Sequence, residues 1–226
     1  MQTVLPTFSN SKKRLAILID PDKFNVELTA PFLRKLPTNT SHIFVGGSTV
    51  ASGLTERLVK ELKLYTSKPI VIFPGDVNQI TAEADALLFL SLLSGNNPEY
   101  LIEQQIKAVE KLTTTQLEVI PVGYILIDGG NTSAVSRITQ TQPISQENWE
   151  RIVATAKAAE YLGKKLIYLE AGSGAKFPVS PKIIEKVTSA VSIPVIVGGG
   201  IRTEAQKQHC YKAGASMVVM GTAYES

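Results

Sequence analysis

Cysteine, tryptophan and histidine are nearly missing from this chain: one, one and two in 226 residues. A lone Cys210 excludes an intramolecular disulfide framework and suits a reducing compartment. With Ala213 and Gly214 close behind it, Cys210 reads as a packed helix residue rather than a nucleophile. His42 falls at the start of an apolar run and His209 inside a helical pattern. No Cys/His cluster has metal-binding spacing, so zinc is not expected. No apolar stretch approaches the ~20 residues that cross a bilayer, and no N-terminal run resembles a secretion signal. The expected location is the cytoplasm. Charge of one sign is also scarce. The net charge is +3, and basic residues cluster only at Lys12-Lys13-Arg14 and Lys164-Lys165, where strands begin. Those clusters read as solvated edges, and no nucleic-acid face is expected. Linkers, low-complexity tracts and composition shifts are absent too, which favours a single domain over residues 1–226.

What the chain has in quantity is short runs of Val, Ile and Leu. They recur at 15–19, 42–45, 70–73, 86–90, 119–127, 166–169, 194–197 and 216–220 without polar alternation. Strands covered on both faces read this way. Helical patterns lie between them. Ser145 is a candidate cap for a helix through Trp149, Ile152, Val153 and Ala156 to a stop near Gly163. Ser180-Pro181 opens another, with Ile183, Ile184, Val187 and Val191 at helical spacing. Thr203 to Gln206 has the form of a capping box, and Gly214 ends that helix. Eight strands alternating with helices predict a single-domain α/β TIM-type (β/α)8 barrel, with an open doubly wound sheet as competitor. Residues 94–98 read as a turn, and 128–143 as a loop long enough to form a lip of the site. The chain stops at Ser226, just past the eighth run, so the last helix is expected to be short or missing.

The most informative residues are glycines after the last three apolar runs. Residues 166–170 lead into Ala171-Gly172-Ser173-Gly174, residues 194–197 into Gly198-Gly199-Gly200-Ile201-Arg202, and residues 217–220 into Gly221-Thr222. Glycine lets a backbone approach a ligand and aim N–H groups at it, and such turns hold phosphate. Barrel active sites lie at the carboxyl ends of the strands. There the first strand ends in Asp20-Pro21-Asp22-Lys23 and the second in Gly46-Gly47-Ser48-Thr49. An acidic mouth beside a hydroxyl suits magnesium, which prefers oxygen ligands and shares its shell with water and substrate phosphates. Asp20 directly ends its strand and is the preferred ligand; Asp22 is a second ligand or a helix cap. Lys23 pairs with a phosphate or faces solvent. Glu170 beside a phosphate-type turn suits a general base, the alternative being an ion pair across the barrel. Tyr168 shares its inward face and can orient the same ligand.

Taken together, the stretches Leu18-Ile19-Asp20-Pro21-Asp22-Lys23, Val45-Gly46-Gly47-Ser48-Thr49, Phe73-Pro74-Gly75, Phe89-Leu90-Ser91-Leu92-Leu93, Tyr168 to Gly174, Val197 to Arg202 and Gly221-Thr222 resemble the geranylgeranylglyceryl phosphate synthase family of prenyltransferases. The resemblance spans nearly the whole chain in family order. It implies a modified barrel that joins sn-glycerol 1-phosphate to a polyprenyl diphosphate, for instance geranylgeranyl diphosphate, and releases diphosphate in ether-lipid synthesis. It assigns magnesium (Mg2+) to Asp20 and Ser48. Glycerol 1-phosphate falls to Tyr168, Leu169, Glu170, Ala171, Gly172, Ser173, Gly174, Gly199, Gly200, Gly221 and Thr222, with Glu170 taking the proton of the attacking hydroxyl. It also implies a homo-oligomer, a dimer or hexamer, and a protein touching membrane surfaces only transiently. A prenyl chain needs an apolar groove, for which Phe89, Leu92, Leu93, Tyr124 and Ile125 are candidates, core packing being the other reading. A different phosphate-binding barrel, an isomerase or lyase, is the competing function.

Overall fold

Eight apolar runs become eight parallel strands closed on themselves. In the computed structural model, which describes residues 3–9 and 12–224, these are β1 (Arg14–Ile19), β2 (Thr40–Val45), β3 (Ile70–Ile72), β4 (Ala86–Leu92), β5 (Glu118–Leu126), β6 (Leu166–Glu170), β7 (Val195–Gly198) and β8 (Met217–Met220). Each strand pairs with its successor, and β1 pairs with β8 through Arg14↔Met217 to Ile17↔Met220, so the barrel is closed. The open doubly wound sheet is thereby excluded.

Strand alternation sorts the side chains into layers. Ala16, Phe44, Val71, Leu88, Val122, Tyr124, Leu166, Tyr168, Ile196 and Met217 fill the interior. Their neighbours Ile17, Ile125, Ile167, Leu169, Val197 and Val218 face outward against helices. Those helices are α1 (Thr29–Lys35), α2 (Leu54–Tyr65), α3 (Gln104–Thr113, entered through a π turn at Glu99–Glu103), α4 (Ala134–Thr139), α5 (Trp149–Tyr161), α6 (Pro181–Ala190) and α7 (Glu204–Lys212). Ser180 caps α6 with Pro181 at its first position, and Thr203 with Gln206 forms a full capping box on α7. At the base, the 3-10 turn Leu5–Phe8 inserts a fully buried Phe8. Thr7 Oγ1 lies 2.7 Å from His42 Nε2, and His42 Nδ1 lies 2.8 Å from Ser41 Oγ. Burial, reinforced by Arg14, pushes the His42 pKa down to about 4, so the ring is neutral.

Three elements differ from the sequence expectations. The cap of α5 is Asn148, which accepts from Arg151 N, while Ser145 accepts from Glu147 N in the preceding turn. Side-chain oxygens three residues apart compete for such roles, and the entry angle of the chain decides. Residues 128–143 are not all loop. Ser133 caps the six-residue α4, too short to show helical periodicity in sequence. Most consequential for the site, β3 and β4 are joined by no α-helix; only a 3-10 turn at Val77–Gln79 stands between them. The modification of the barrel therefore lies here. After β8 the described residues end in a turn at Tyr224, whose side chain packs on the outer core.

Candidate active site

Parity along β6 brings Leu166, Tyr168 and Glu170 onto the inner face, and Leu169 onto the outer one. Tyr168, almost fully buried, stacks on Phe73 with centroids 5.0 Å apart and planes 15° apart. Tyr124 packs against both rings at 5.4 and 5.8 Å. This aromatic trio is the floor of the site. Burial raises the hydroxyl pKa values of Tyr124 and Tyr168 well above the usual phenol value, so both stay protonated.

Glu170 stands above that floor, 6% exposed. Its Oε1 accepts a 2.6 Å hydrogen bond from Gly172 N, and the Tyr168 hydroxyl donates to the same carboxyl group. Burial pushes its pKa up to about 7, against the opposing pull of the Gly172 amide and Tyr168 hydroxyl. No ion pair involves Glu170 among the described residues, so the reading of a structural pair across the barrel fails. A carboxyl group that titrates near neutrality can take a proton at physiological pH and release it again. Gly199 makes room for it. At φ +83°, a Cβ there would land on Glu170 Oε1 and Gly172 N, so only glycine fits.

A cavity of about 590 Å3 opens over these residues. At one end lie the glycine turns: Ser173, Gly174, Gly199, Gly200, Gly221 and Thr222. Gly172, Gly174, Gly199 and Gly200 all have positive φ, the geometry in which successive amides form anion-binding concavities. Arg202 ties two of these turns together. Its Nη2 donates to Ala175 O at 2.8 Å and its Nη1 to Gly200 O at 3.5 Å. Along the wall formed by the ends of β1 and β2 are Asp20, Lys23, Gly47, Ser48 and Thr49. Asp20 Oδ2 pairs with Lys23 Nζ at 3.1 Å, while Asp20 Oδ1 accepts from Asp22 N at 3.2 Å. The following turn at Val26–Leu28 is capped by Asn25 rather than Asp22; Asp22 Oδ1 accepts from Ala51 N at 3.1 Å, anchoring the loop after β2. Beyond this wall the cavity turns apolar, lined by Ile80, Leu87, Phe89, Tyr100, Ala108 and Ile138. That arm passes over the outer face of β4, which is open because no helix follows β3. The ordinary anatomy of a (β/α)8 barrel would fill it.

The profile of the PcrB family matches residues 9–226. The chain belongs to the PcrB family. It is 53% identical to a geranylgeranylglyceryl phosphate synthase of Zunongwangia profunda, over all of this chain and 97% of that protein. The corresponding enzyme of Pyrococcus abyssi is 40% identical over 96% of this chain and 86% of its own length. Among solved structures, (S)-3-O-geranylgeranylglyceryl phosphate synthase of Thermoplasma acidophilum, in complex with its substrate sn-glycerol-1-phosphate, superposes with a TM-score of 0.91. It is 33% identical over all of this chain and 92% of that one.

This PcrB-family barrel gathers Tyr168, Glu170, Ser173, Gly174, Gly199, Gly200, Gly221 and Thr222 at the ends of β6, β7 and β8, with Asp20 and Ser48 lining the same cavity from the ends of β1 and β2. Leu169 and Ala171 send their side chains into the outer core, so only their backbone could face a ligand. Gly172 acts through its amide on Glu170. Of the groove candidates, Phe89, Leu92 and Tyr124 line the cavity, whereas Leu93 and Ile125 do not. Ile125 follows inward-facing Tyr124 on the strand and so faces the helices; Leu93 packs against that same outer layer. Sequence reasoning missed Arg137 and Ile138 on α4, and Gln79. No periodic signal marks a six-residue helix or an isolated polar residue in a turn.

Proposed function

We propose that this protein transfers a polyprenyl group from its diphosphate to the terminal hydroxyl of sn-glycerol 1-phosphate. The glycine turns of β6, β7 and β8 would receive the phosphate, placing the glycerol hydroxyl beside Glu170. Glu170 removes the hydroxyl proton as the oxygen bonds to the allylic carbon, the carbon–oxygen bond to diphosphate breaks, and diphosphate leaves. Tyr168 keeps the carboxylate oriented. The apolar arm over β4 would hold the prenyl chain, aligning both reactants for an effectively intramolecular step. One observation carries this reading: a buried carboxyl group with a pKa of about 7 sits between an anion-binding rim and an apolar arm of one cavity.

The magnesium expectation is tested by the donors present. Among the described residues no three His, Cys, Asp or Glu side chains converge as a metal cage. A single carboxylate and a hydroxyl facing an open cavity suit a cation that keeps waters and takes phosphate oxygens. Asp20 and Ser48 would hold it, and it would supply charge neutralisation to the departing diphosphate. The test is incubation with sn-glycerol 1-phosphate and prenyl diphosphates of several lengths, with magnesium or with EDTA. An ether product that forms with magnesium and disappears with EDTA is expected; a product that persists in EDTA rejects the metal, and none at any length rejects the transfer.

A further inference from the structure

Gln79 is 1% exposed, yet it sits in a turn rather than in a core element. Its carboxamide grips the backbone of Gly47 from both sides. Gln79 Nε2 donates to Gly47 O at 2.8 Å, and Gly47 N donates to Gln79 Oε1 at 3.2 Å. A carbonyl beside the amide nitrogen and an N–H beside the amide oxygen allow only this orientation of the side chain.

Gly47 is where this grip matters. A Cβ at Gly47 would lie 2.6 Å from Asp20 Oδ1, so the backbone gripped by Gln79 rests directly on the Asp20 carboxylate. Ser48 is the next residue. Asp22 holds the same turn further on, at Ala51, and Gly75 approaches as backbone against the Gly47 and Ser48 carbonyls; among the described residues Gln79 alone bonds both the N–H and the carbonyl of Gly47. Gln79 is itself held. Asp76 Oδ1 caps its turn by accepting from Asn78 N at 2.7 Å. Gln104 Oε1 accepts from Val77 N at 3.1 Å, and Lys111 Nζ donates to Val77 O at 3.0 Å, both from α3. The 3-10 turn that replaces a helix therefore serves as a strut between α3, which walls the apolar arm, and the Asp20–Ser48 wall.

We propose that Gln79 is a positioning residue for the diphosphate half of the site: its two-point bond to Gly47 holds Ser48 and the Asp20 carboxylate in mutual register. This rests on the transferase reading above. It makes a selective prediction, because among the described residues the side-chain hydrogen bonds of Gln79 go to Gly47 and none goes to the glycerol phosphate rim.

The experiment measures two affinities by calorimetry, for magnesium pyrophosphate and for sn-glycerol 1-phosphate. In Gln79→Met, which keeps the volume but neither hydrogen bond, pyrophosphate binding should weaken about tenfold, with glycerol 1-phosphate within about twofold. KM for the prenyl diphosphate should rise in parallel. Equal weakening of both ligands, or no weakening of either, overturns the proposal. Gln79→Glu gives an independent readout through pH. Its ionised carboxylate would oppose Gly47 O, while the protonated form can donate to it. Pyrophosphate affinity relative to wild type should therefore recover as pH falls from 8 to 5; a flat ratio overturns the proposal. Wild type that makes ether product beside a Gln79 variant with both affinities intact defeats this inference alone, whereas wild type without product defeats the transferase reading.

Discussion

Tyr168 donates its hydroxyl to the Glu170 carboxyl two residues further along one strand, on the same inward face of the barrel. The pair combines two opposing forces. Burial raises the pKa of Glu170 to about 7, and hydrogen bonds from the Gly172 amide and Tyr168 hold it from rising further. The predictions about chemistry follow from that balance.

Replacing the base removes proton transfer and leaves the shape. Glu170→Gln is expected to lower kcat by at least ~100-fold with glycerol 1-phosphate binding retained. The same variant should gain stability at high pH. The folded-state value lies above the ordinary 4.5, so ionising Glu170 in the fold costs free energy that accumulates as pH rises from about 4.5 to 7. By denaturant titration the variant should match wild type near pH 4 and exceed it by up to ~3 kcal/mol at pH 8. Full turnover in Glu170→Gln would reject the base assignment.

The pH profile carries the same signature. For a base, activity requires the ionised form, so kcat/KM should climb as pH passes through about 7 and then level off. Tyr168→Phe removes a hydrogen bond that favours the carboxylate, while keeping a ring against Phe73. The rising limb should move to higher pH. A limb that stays in place would show that the hydroxyl does not act on Glu170.

Gly199→Ala places a methyl group on Glu170 Oε1 at a backbone angle that side chains disfavour. Strain of this kind costs about 1–3 kcal/mol. KM for glycerol 1-phosphate should rise and the melting temperature should fall with it, because the methyl group also meets the Gly172 and Ala171 backbone nitrogens. Unchanged KM would remove the β7 turn from the phosphate site.

At the opposite end of the barrel, His42 should govern acid stability. Its folded value of about 4 lies below the ordinary 6.5. The stability it contributes is complete above pH 6.5 and lost as pH falls toward 4, because only the unfolded chain gains the proton readily. The loss amounts to ~3 kcal/mol. In His42→Gln, which cannot titrate, that segment of the stability curve should flatten while kcat stays at the wild-type value.

The order of elements was legible in the chain because strands buried on both faces must be continuously apolar and barrel loops must be polar. The residues at strand ends were legible for a related reason. Parity on β6 follows from alternation alone, so Tyr168 and Glu170 had to share a face, and glycine-rich turns after three successive strands had to meet where neighbouring parallel strands end. Local spacing could not say what a missing helix leaves behind. The 3-10 turn Val77–Gln79, the open outer face of β4 and the short α4 emerge only when the barrel closes and brings distant segments side by side. Gln79 and Gly47 lie 32 residues apart, and nothing in either neighbourhood announces their bond. Likewise, a neutral-range carboxyl group at Glu170 is a property of burial, and burial exists only in three dimensions.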